Sequence, residues 1–224
     1  MDTKKSYKIQ ASGSKLKNKK ILITAGPTWI PIDSVRVISN IATGETGVLL
    51  AKGAAKKGAK VTLVLGPIPN AVSLRRPIKV IRFKFFDELK KIIISELKSH
   101  RYDAVIHSAA VSDFKPEKIT SGKIISGKIY NLKLLPLPKI IDDVRKLAPR
   151  AKLVMFKLEP KVSESILIKR ARSTLAKVGA DFAVANRINP YRAHIIDRRG
   201  KILTTIKDKK LLAKNLLTFL TYNL

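Results

Sequence analysis

The 224-residue sequence contains no cysteine. That absence excludes disulfides, thiolate metal sites and a cysteine nucleophile. Histidine is nearly as scarce, with three scattered residues and no paired spacing, so a structural zinc site is not expected and no residue is assigned as a metal ligand. Acidic groups are few as well: 16 Asp and Glu stand against 46 Lys and Arg, a formal net charge of +30. Aromatics make up only 6%. Ile, Leu, Val and Ala must therefore fill the core, and the lysines lack the interleaved rings of a single-strand binding platform. Because the lysines are spread over the whole chain, the charge reads as compositional, with a secondary benefit for anionic substrates, and nucleic acid is not the expected partner. No apolar run approaches the roughly 20 residues that span a bilayer, and Met1–Lys20 lacks the apolar stretch of a secretory signal. The expectation is a cytoplasmic protein without a membrane partner. Residues 1–19 should form a flexible tail or linker, followed by one domain over 20–224.

What is present is a regular alternation. Ile21–Ala25 is a short apolar run ending in Gly26-Pro27, as a buried parallel strand would. Thr43–Lys57 carries small and apolar residues at helical spacing and stops at Gly58. Lys60–Leu65 is the next strand, closed by Gly66-Pro67. Further strands are expected at Ile78–Phe83, Ala104–Ser108, Lys152–Leu158 and Phe182–Ala185, with helices at Asp87–Lys98, Pro138–Leu147, Ser163–Val178 and Lys209–Tyr222. Ala193–Ile196 and Ile202–Ile206 flank a hairpin turn at Asp197–Gly200. Between Phe114 and Leu137 the pattern breaks into an extended excursion, of the kind that serves function or assembly. The fold class is α/β and Rossmann-like: a mainly parallel central sheet with helices on both faces and an extended β flap or dimerisation excursion.

In such sheets ligands bind beyond the carboxyl ends of the strands. Four strand ends stand out: Gly26-Pro27-Thr28, the run Ser108-Ala109-Ala110-Val111-Ser112-Asp113, Phe156-Lys157-Leu158-Glu159, and Ala185-Asn186. Each alone also fits tight packing or strand termination. The segment from Val35 to Gly47 places Thr43 and Gly44 at a helix N-terminus, where bare amides and the dipole attract phosphate. Gly44 and Gly47 would keep side chains away from a ligand, or else let the helix pack tightly on a strand. Neither the G-x-G-x-x-G dinucleotide fingerprint nor a P-loop is present.

Taken in order, these blocks resemble phosphopantothenoylcysteine synthetase, the ligase of coenzyme A biosynthesis. The resemblance is carried by Gly26-Pro27-Thr28, Pro31-Ile32-Asp33, Val35-Arg36, Ser39-Asn40, Thr43-Gly44, Gly47, Ala109-Ala110-Val111-Ser112-Asp113-Phe114, Phe156-Lys157-Leu158-Glu159 and Val184-Ala185-Asn186, from about Lys19 to the C-terminus. It implies condensation of 4′-phosphopantothenate with cysteine through an acyl-nucleotidylate, with CTP or ATP as co-substrate and Mg²⁺ on the triphosphate. By position, Asn40 would hold the acyl-nucleotidylate, Arg36 would grip anionic substrate beside Ala109 and Ala110, and Lys123 would close over the intermediate as a mobile point charge. The nucleotide would meet Gly26, Ala42, Thr43, Gly44, Gly47, Ser108, Ala109, Ala110, Asp113, Lys123, Pro138, Lys139, Ile140, Ile141, Phe156, Lys177 and Asn186, with Phe156 against the base. The excursion is where family members pair into homodimers.

The chain departs from the family pattern at several points. Ala42 stands where many members have Ser. The flap motif Lys-x-Lys-Lys reads Lys123-Ile124-Ile125-Ser126, with Lys118 and Lys128 as competitors for the closing role. Pro138–Ile141 replaces Asn-Pro-Asp-Ile. Lys177 is offset by one residue from a family lysine, and Arg170 or Arg172 could stand in for the other. Many prokaryotic members carry this domain behind a flavin-dependent decarboxylase, so the chain is either a standalone synthetase or the C-terminal part of a bifunctional protein with such an N-terminal partner domain. The rival reading is a basic Rossmann-like module that binds nucleic acid or nucleotide without turnover. A short-chain dehydrogenase ranks last, because the chain has no Tyr-x-x-x-Lys pair.

Overall fold

The computed structural model of the chain describes residues 16–69, 74 and 77–224. Residues 1–15 of the expected tail lie outside them. In chain order the elements are β1 (Lys20–Ala25), β2 (Trp29–Pro31), β3 (Val37–Ser39), α1 (Glu45–Lys56), β4 (Lys60–Leu65), β5 (Ile78–Arg82), α2 (Phe86–Ser99), β6 (Ala104–His107), β7 (Phe114–Pro116), β8 (Leu134–Pro136), α3 (Ile140–Leu147), β9 (Lys152–Leu158), α4 (Glu164–Val178), β10 (Phe182–Arg187), β11 (Arg192–Asp197), β12 (Ile202–Ile206) and α5 (Lys209–Thr221).

Eight strands form one sheet in the order β12-β11-β10-β9-β6-β1-β4-β5. The six from β5 to β10 run parallel, and β11 and β12 add antiparallel at one side. Strands β12 and β5 are therefore the open edges. Taken along the chain, the parallel strands have the order 3-2-1-4-5-6, so the topological switch lies between β1 and β6, where Ile23 pairs with Leu63 on one side and Ile106 on the other. Both strands are buried on both faces, which is why they read as continuous apolar runs rather than alternating ones.

The parity of each strand divides the core. Ile21, Ile23 and Ala25 pack under α1 and α5 with Leu50, Ala54, Leu216 and Leu220. Leu22 and Val105 pack on the other face under α2, α3 and α4 with Leu89, Ile93, Val144, Leu167 and Leu175. Capping explains the starts of α4 and α5 and the end of α4. The Ser163 hydroxyl accepts from the Ile166 amide at 3.3 Å, the Asp208 carboxylate accepts from the Leu211 amide at 2.7 Å, and α4 stops at Gly179 in the left-handed region. No helix among the described residues is long and apolar enough to cross a membrane.

Three features differ from the sequence expectation. A small antiparallel pair, β2–β3, precedes α1 where only a loop was expected; its three-residue strands are too short to carry a periodic signal. Thr43 lies outside α1, and Pro138 and Lys139 lie outside α3. Leu16, inside the expected tail, is fully buried in the α1/α5-side core, and its amide donates to the Lys57 carbonyl at 3.2 Å. The packed domain thus includes residues 16–19. Leu16→Ala should cost about 2–5 kcal/mol through loss of burial and an unfilled cavity. A thermal melt indistinguishable from wild type would contradict that packing.

The excursion leaves and rejoins the body through the antiparallel β7–β8 pair. Residues 117–133 between them hold no helix or strand.

Candidate active site

The crevice at the switch point is built by backbone geometry first. After β1 the chain turns at Gly26, whose φ of +81° suits glycine and whose added Cβ would sit 3.2 Å from Gly66 backbone. The chain then runs beside the segment after β6: the Ala110 amide donates to the Gly26 carbonyl at 2.9 Å, and the Thr28 amide to the Ala110 carbonyl at 3.3 Å. Buried hydroxyls lock the two segments together. Thr28 Oγ1 lies 2.9 Å from Ser112 Oγ and accepts from the Ser112 amide at 2.9 Å. One layer below, Thr24 Oγ1 accepts from the Ala109 amide at 3.2 Å and lies 3.0 Å from His107 Nδ1. Burial pushes the His107 imidazole down to about 4, so it is neutral at pH 7 and serves as an uncharged support.

Asn40 spans this crevice. Its Nδ2 donates to the carbonyls of Ala110 at 3.0 Å and Val111 at 3.1 Å. Both amide hydrogens are thereby used, which fixes the side-chain orientation and leaves Oδ1 as the group available to a ligand. Beyond Asn40 the chain reaches Gly44 with φ +69° and enters α1 without a side-chain cap, so amides of its first turn stay open. Gly47 proves to be a packing residue: a Cβ there would lie 2.4 Å from Ala25 Cβ and 2.9 Å from Ser108 Oγ. Its missing side chain lets α1 sit close on β1 rather than clearing space for a ligand.

Phe156 and Asn186 project from the same sheet face as α1. Phe156 pairs with Val184 and packs on the α1/α5-side core, and Asn186 is two residues further along β10. Asn186 Oδ1 is buried without a hydrogen-bond partner. On the other side of the crevice, Asp113 and Lys139 form an ion pair, and the Leu137 amide donates to the Asp113 carbonyl at 2.8 Å. Of the Pro138–Ile141 run, Ile140 is 2% exposed and belongs to the core, Ile141 is half-buried, and Pro138 and Lys139 are exposed. Ser108 spends its hydroxyl on the Thr24 carbonyl at 2.6 Å. Ala42 is half-buried; Thr43 is exposed, with its hydroxyl accepting from the Glu45 amide at 3.4 Å.

Lys177 is not at the site. It occupies the last turn of α4, beside the amino end of β10, and at 1.5 Å per residue that is about 20 Å from the edge where the other residues meet. Arg172 is also directed away, with Nε donating to the Gly200 carbonyl at 2.8 Å. Arg170 bonds Glu159 at 3.0 Å.

The structure also brings forward Asp33, to which the sequence reading gave no role. Its buried carboxylate accepts from the amides of Val35 at 2.9 Å, Arg36 at 2.7 Å and Ile124 at 3.0 Å, and from the Arg36 guanidinium. Burial alone would raise its pKa, but these four donors outweigh it and hold the carboxyl well below the usual carboxylate range. In the sequence Asp33 stood only as part of the Pro31-Ile32-Asp33 block, and Asp is a residue that favours turns by accepting from amides two and three residues on. Lys118, Lys123 and Lys128 are all exposed, with no hydrogen bond or ion pair to their side chains among the described residues. No group of three or more His, Cys, Asp or Glu that could hold a metal exists among the described residues.

Residues 16–221 match the family described as the DNA/pantothenate metabolism flavoprotein C-terminal domain. The coenzyme A biosynthesis bifunctional protein CoaBC of Thermococcus kodakarensis is 39% identical over 178 residues, which cover 79% of this chain and 43% of that protein. The protein of the same name from Borreliella burgdorferi is 34% identical over 214 residues, covering 92% of this chain and 53% of its own length. The chain thus spans about half the length of these curated relatives. Among solved structures, the DNA/pantothenate metabolism flavoprotein of Streptococcus pneumoniae superposes with a TM-score of 0.83 at 26% identity, over 92% of this chain and 100% of that one.

Proposed function

The chain belongs to the DNA/pantothenate metabolism flavoprotein C-terminal domain family, and from that premise we propose that it is the ligase that joins 4′-phosphopantothenate to cysteine. The observation that carries this reading is Asn40, tied to the Ala110 and Val111 carbonyls at the switch point, beside the uncapped N-terminus of α1. This crevice offers phosphate-binding amides on one wall and an ion-paired Asp113 and Lys139 on the other.

The free carboxylate of the substrate is a poor electrophile and must be activated. In the first step a carboxylate oxygen forms a bond to the α-phosphorus of CTP or ATP, and pyrophosphate leaves. In the second the cysteine nitrogen bonds the acyl carbon, the nucleoside monophosphate leaves, and the amine gives up a proton. Negative charge on phosphate and on the developing oxyanion calls for donors already in place. The Thr46 amide at the start of α1 supplies one, with Lys139 as a neighbouring cation. Arg36, whose side chain is 43% exposed, meets the substrate's anionic groups. Asn40 Oδ1 accepts from the acyl-nucleotidylate. Phe156 lies against the base and the unpartnered Asn186 Oδ1 receives a base or sugar hydrogen. Mg²⁺ arrives on the triphosphate as part of the co-substrate. A second copy of the chain would cover the apolar Ile119, Ile125 and Ile129 of the excursion, which are 59%, 79% and 95% exposed.

Purified protein mixed with 4′-phosphopantothenate, cysteine, Mg²⁺ and either CTP or ATP should release pyrophosphate and form product. No release with either nucleotide would exclude the ligase, and a steeply salt-dependent affinity for DNA in its place would favour the binding-module reading. Lys123→Gln should slow the second step at least about 10-fold more than the first, because the closing cation meets the intermediate rather than the starting carboxylate. Equal activity in Lys123→Gln and wild type would transfer the role to Lys118 or Lys128.

A further inference from the structure

The two carboxylate oxygens of Asp33 have different partners. Oδ1 accepts from the amides of Val35 and Arg36, two and three residues ahead, and so builds the turn between β2 and β3. Oδ2 accepts from the Ile124 amide, 91 residues away on the excursion, and from the Arg36 guanidinium, which also donates to the Ile124 carbonyl at 3.3 Å. A turn needs only the first oxygen. The second reaches across to the excursion.

Two more contacts join the same segments. The Ser34 amide donates to the Gly122 carbonyl at 3.0 Å, and the Thr120 amide to the Ile32 carbonyl at 3.0 Å. Lys123 lies between Gly122 and Ile124, both of which are held. Lys118 and Lys128 lie outside this staple. Elsewhere the excursion is held mainly to itself, by the β7–β8 pair, the Glu117 amide on the Lys133 carbonyl at 2.9 Å, the Lys133–Glu117 ion pair and the Thr120–Tyr130 hydroxyl pair at 2.7 Å. Asp33 is the one buried charge at the joint, with its side chain 0% exposed, and hydrogen bonds to a charged acceptor are about twice as strong as neutral ones.

We propose that Asp33 is a latch: a positioning residue whose Oδ2 holds the excursion, and with it Lys123, against the β2–β3 turn at the mouth of the crevice. The assignment of a closing role to Lys123 rests on the ligase reading above, whereas the latch is a property of the protein without ligand. Asp33→Asn tests it closely. The amide keeps Oδ1 for the turn but places an NH₂ donor where the Ile124 amide and the guanidinium also donate.

Hydrogen exchange followed residue by residue reads the result on the full chain. In Asp33→Asn the amide of Ile124 should exchange about 10- to 100-fold faster, while those of β1 and β6 keep wild-type rates. Trypsin should cleave after Lys123 faster by a similar factor. Unchanged exchange and cleavage in a folded Asp33→Asn protein would overturn the latch. If β1 and β6 also lose protection, Arg36→Lys serves in its place: it leaves the carboxylate and the turn intact and should raise Ile124 exchange by a smaller factor, and no rise there would also refute the proposal. Under turnover, pyrophosphate formation should persist in Asp33→Asn while product formation slows, a split that general destabilisation would not produce. Faster exchange in a protein whose wild type has no turnover would retain the latch and dismiss the ligase.

Discussion

Asn40→Asp is expected to lower product formation at least about 100-fold while the protein remains folded. The size follows from what a single preorganised donor or acceptor contributes at a reacting centre. The wild-type side chain donates both amide hydrogens, to Ala110 and Val111, and leaves only Oδ1 for the ligand. A carboxylate cannot donate to those carbonyls. It would set oxygen against oxygen across the crevice and add a negative charge where phosphates and the oxyanion must gather. Both half-reactions should suffer, unlike in Lys123→Gln. The residue is exposed and belongs to a loop, so the stability loss should stay near about 1–3 kcal/mol. Pyrophosphate release and product formation measured beside a thermal melt separate the two effects. Near-wild-type turnover would remove Asn40 from the site.

Gly47→Ala should damage stability and nucleotide use together. The added methyl would come within 2.4 Å of Ala25 Cβ and 2.9 Å of Ser108 Oγ. Neither neighbour is the far end of a flexible chain: Ala25 closes β1, and Ser108 is held to the Thr24 carbonyl. Relief must come from a shift of α1 away from the sheet, at a cost of about 1–3 kcal/mol. For a domain of this size that lowers Tm by several degrees, roughly 2–4 °C per kcal/mol. The same shift carries the Gly44 turn and the first α1 amides with it, so KM for the nucleotide should rise at least about 10-fold. A variant with wild-type Tm and KM would mean that α1 is free to slide, contrary to its packing.

Much of this fold was legible because the parallel strands are covered on both faces. Ile21–Ala25 and Lys60–Leu65 are mainly apolar, β-branched runs that stop at glycine, whereas the half-exposed edge strands β5 and β12 were marked only by their β-branched residues. The β2–β3 pair did not. Three-residue strands show no period, and this pair is placed by contacts outside itself, including Trp29 edge-on to Phe85 at 6.4 Å and the Trp29 amide on the Lys84 carbonyl. For the site, the Asp113 loop was legible as the continuation of the β6 run, and the Asn40 loop through the Thr43-Gly44 start of α1 that it leads into. Lys177 shows the opposite case. Its distance along the chain from the Val184-Ala185-Asn186 block matches the family closely, but α4 runs antiparallel to the strands, so its last turn lies beside the amino end of β10 and away from the site. The role of Asp33 was illegible for a third reason: three of its four donors are local, and the decisive one is 91 residues away.

The two open strands of the sheet give the lysines a physical consequence. An unpaired edge is a template on which another chain can add a strand. On one side β5 carries Lys79 and Arg82; on the other β12 is bounded by Lys201 and Lys207. Two copies meeting edge to edge would bring like charges into apposition along the new ladder. In a cysteine-free chain of net charge +30, that repulsion acts as a guard against runaway strand addition. It is also a guard that salt disarms: with the Debye length falling from about 10 Å at 0.1 M to about 3 Å at 1 M, concentrated brine removes the electrostatic barrier while leaving every hydrogen-bonding group of both edges in place.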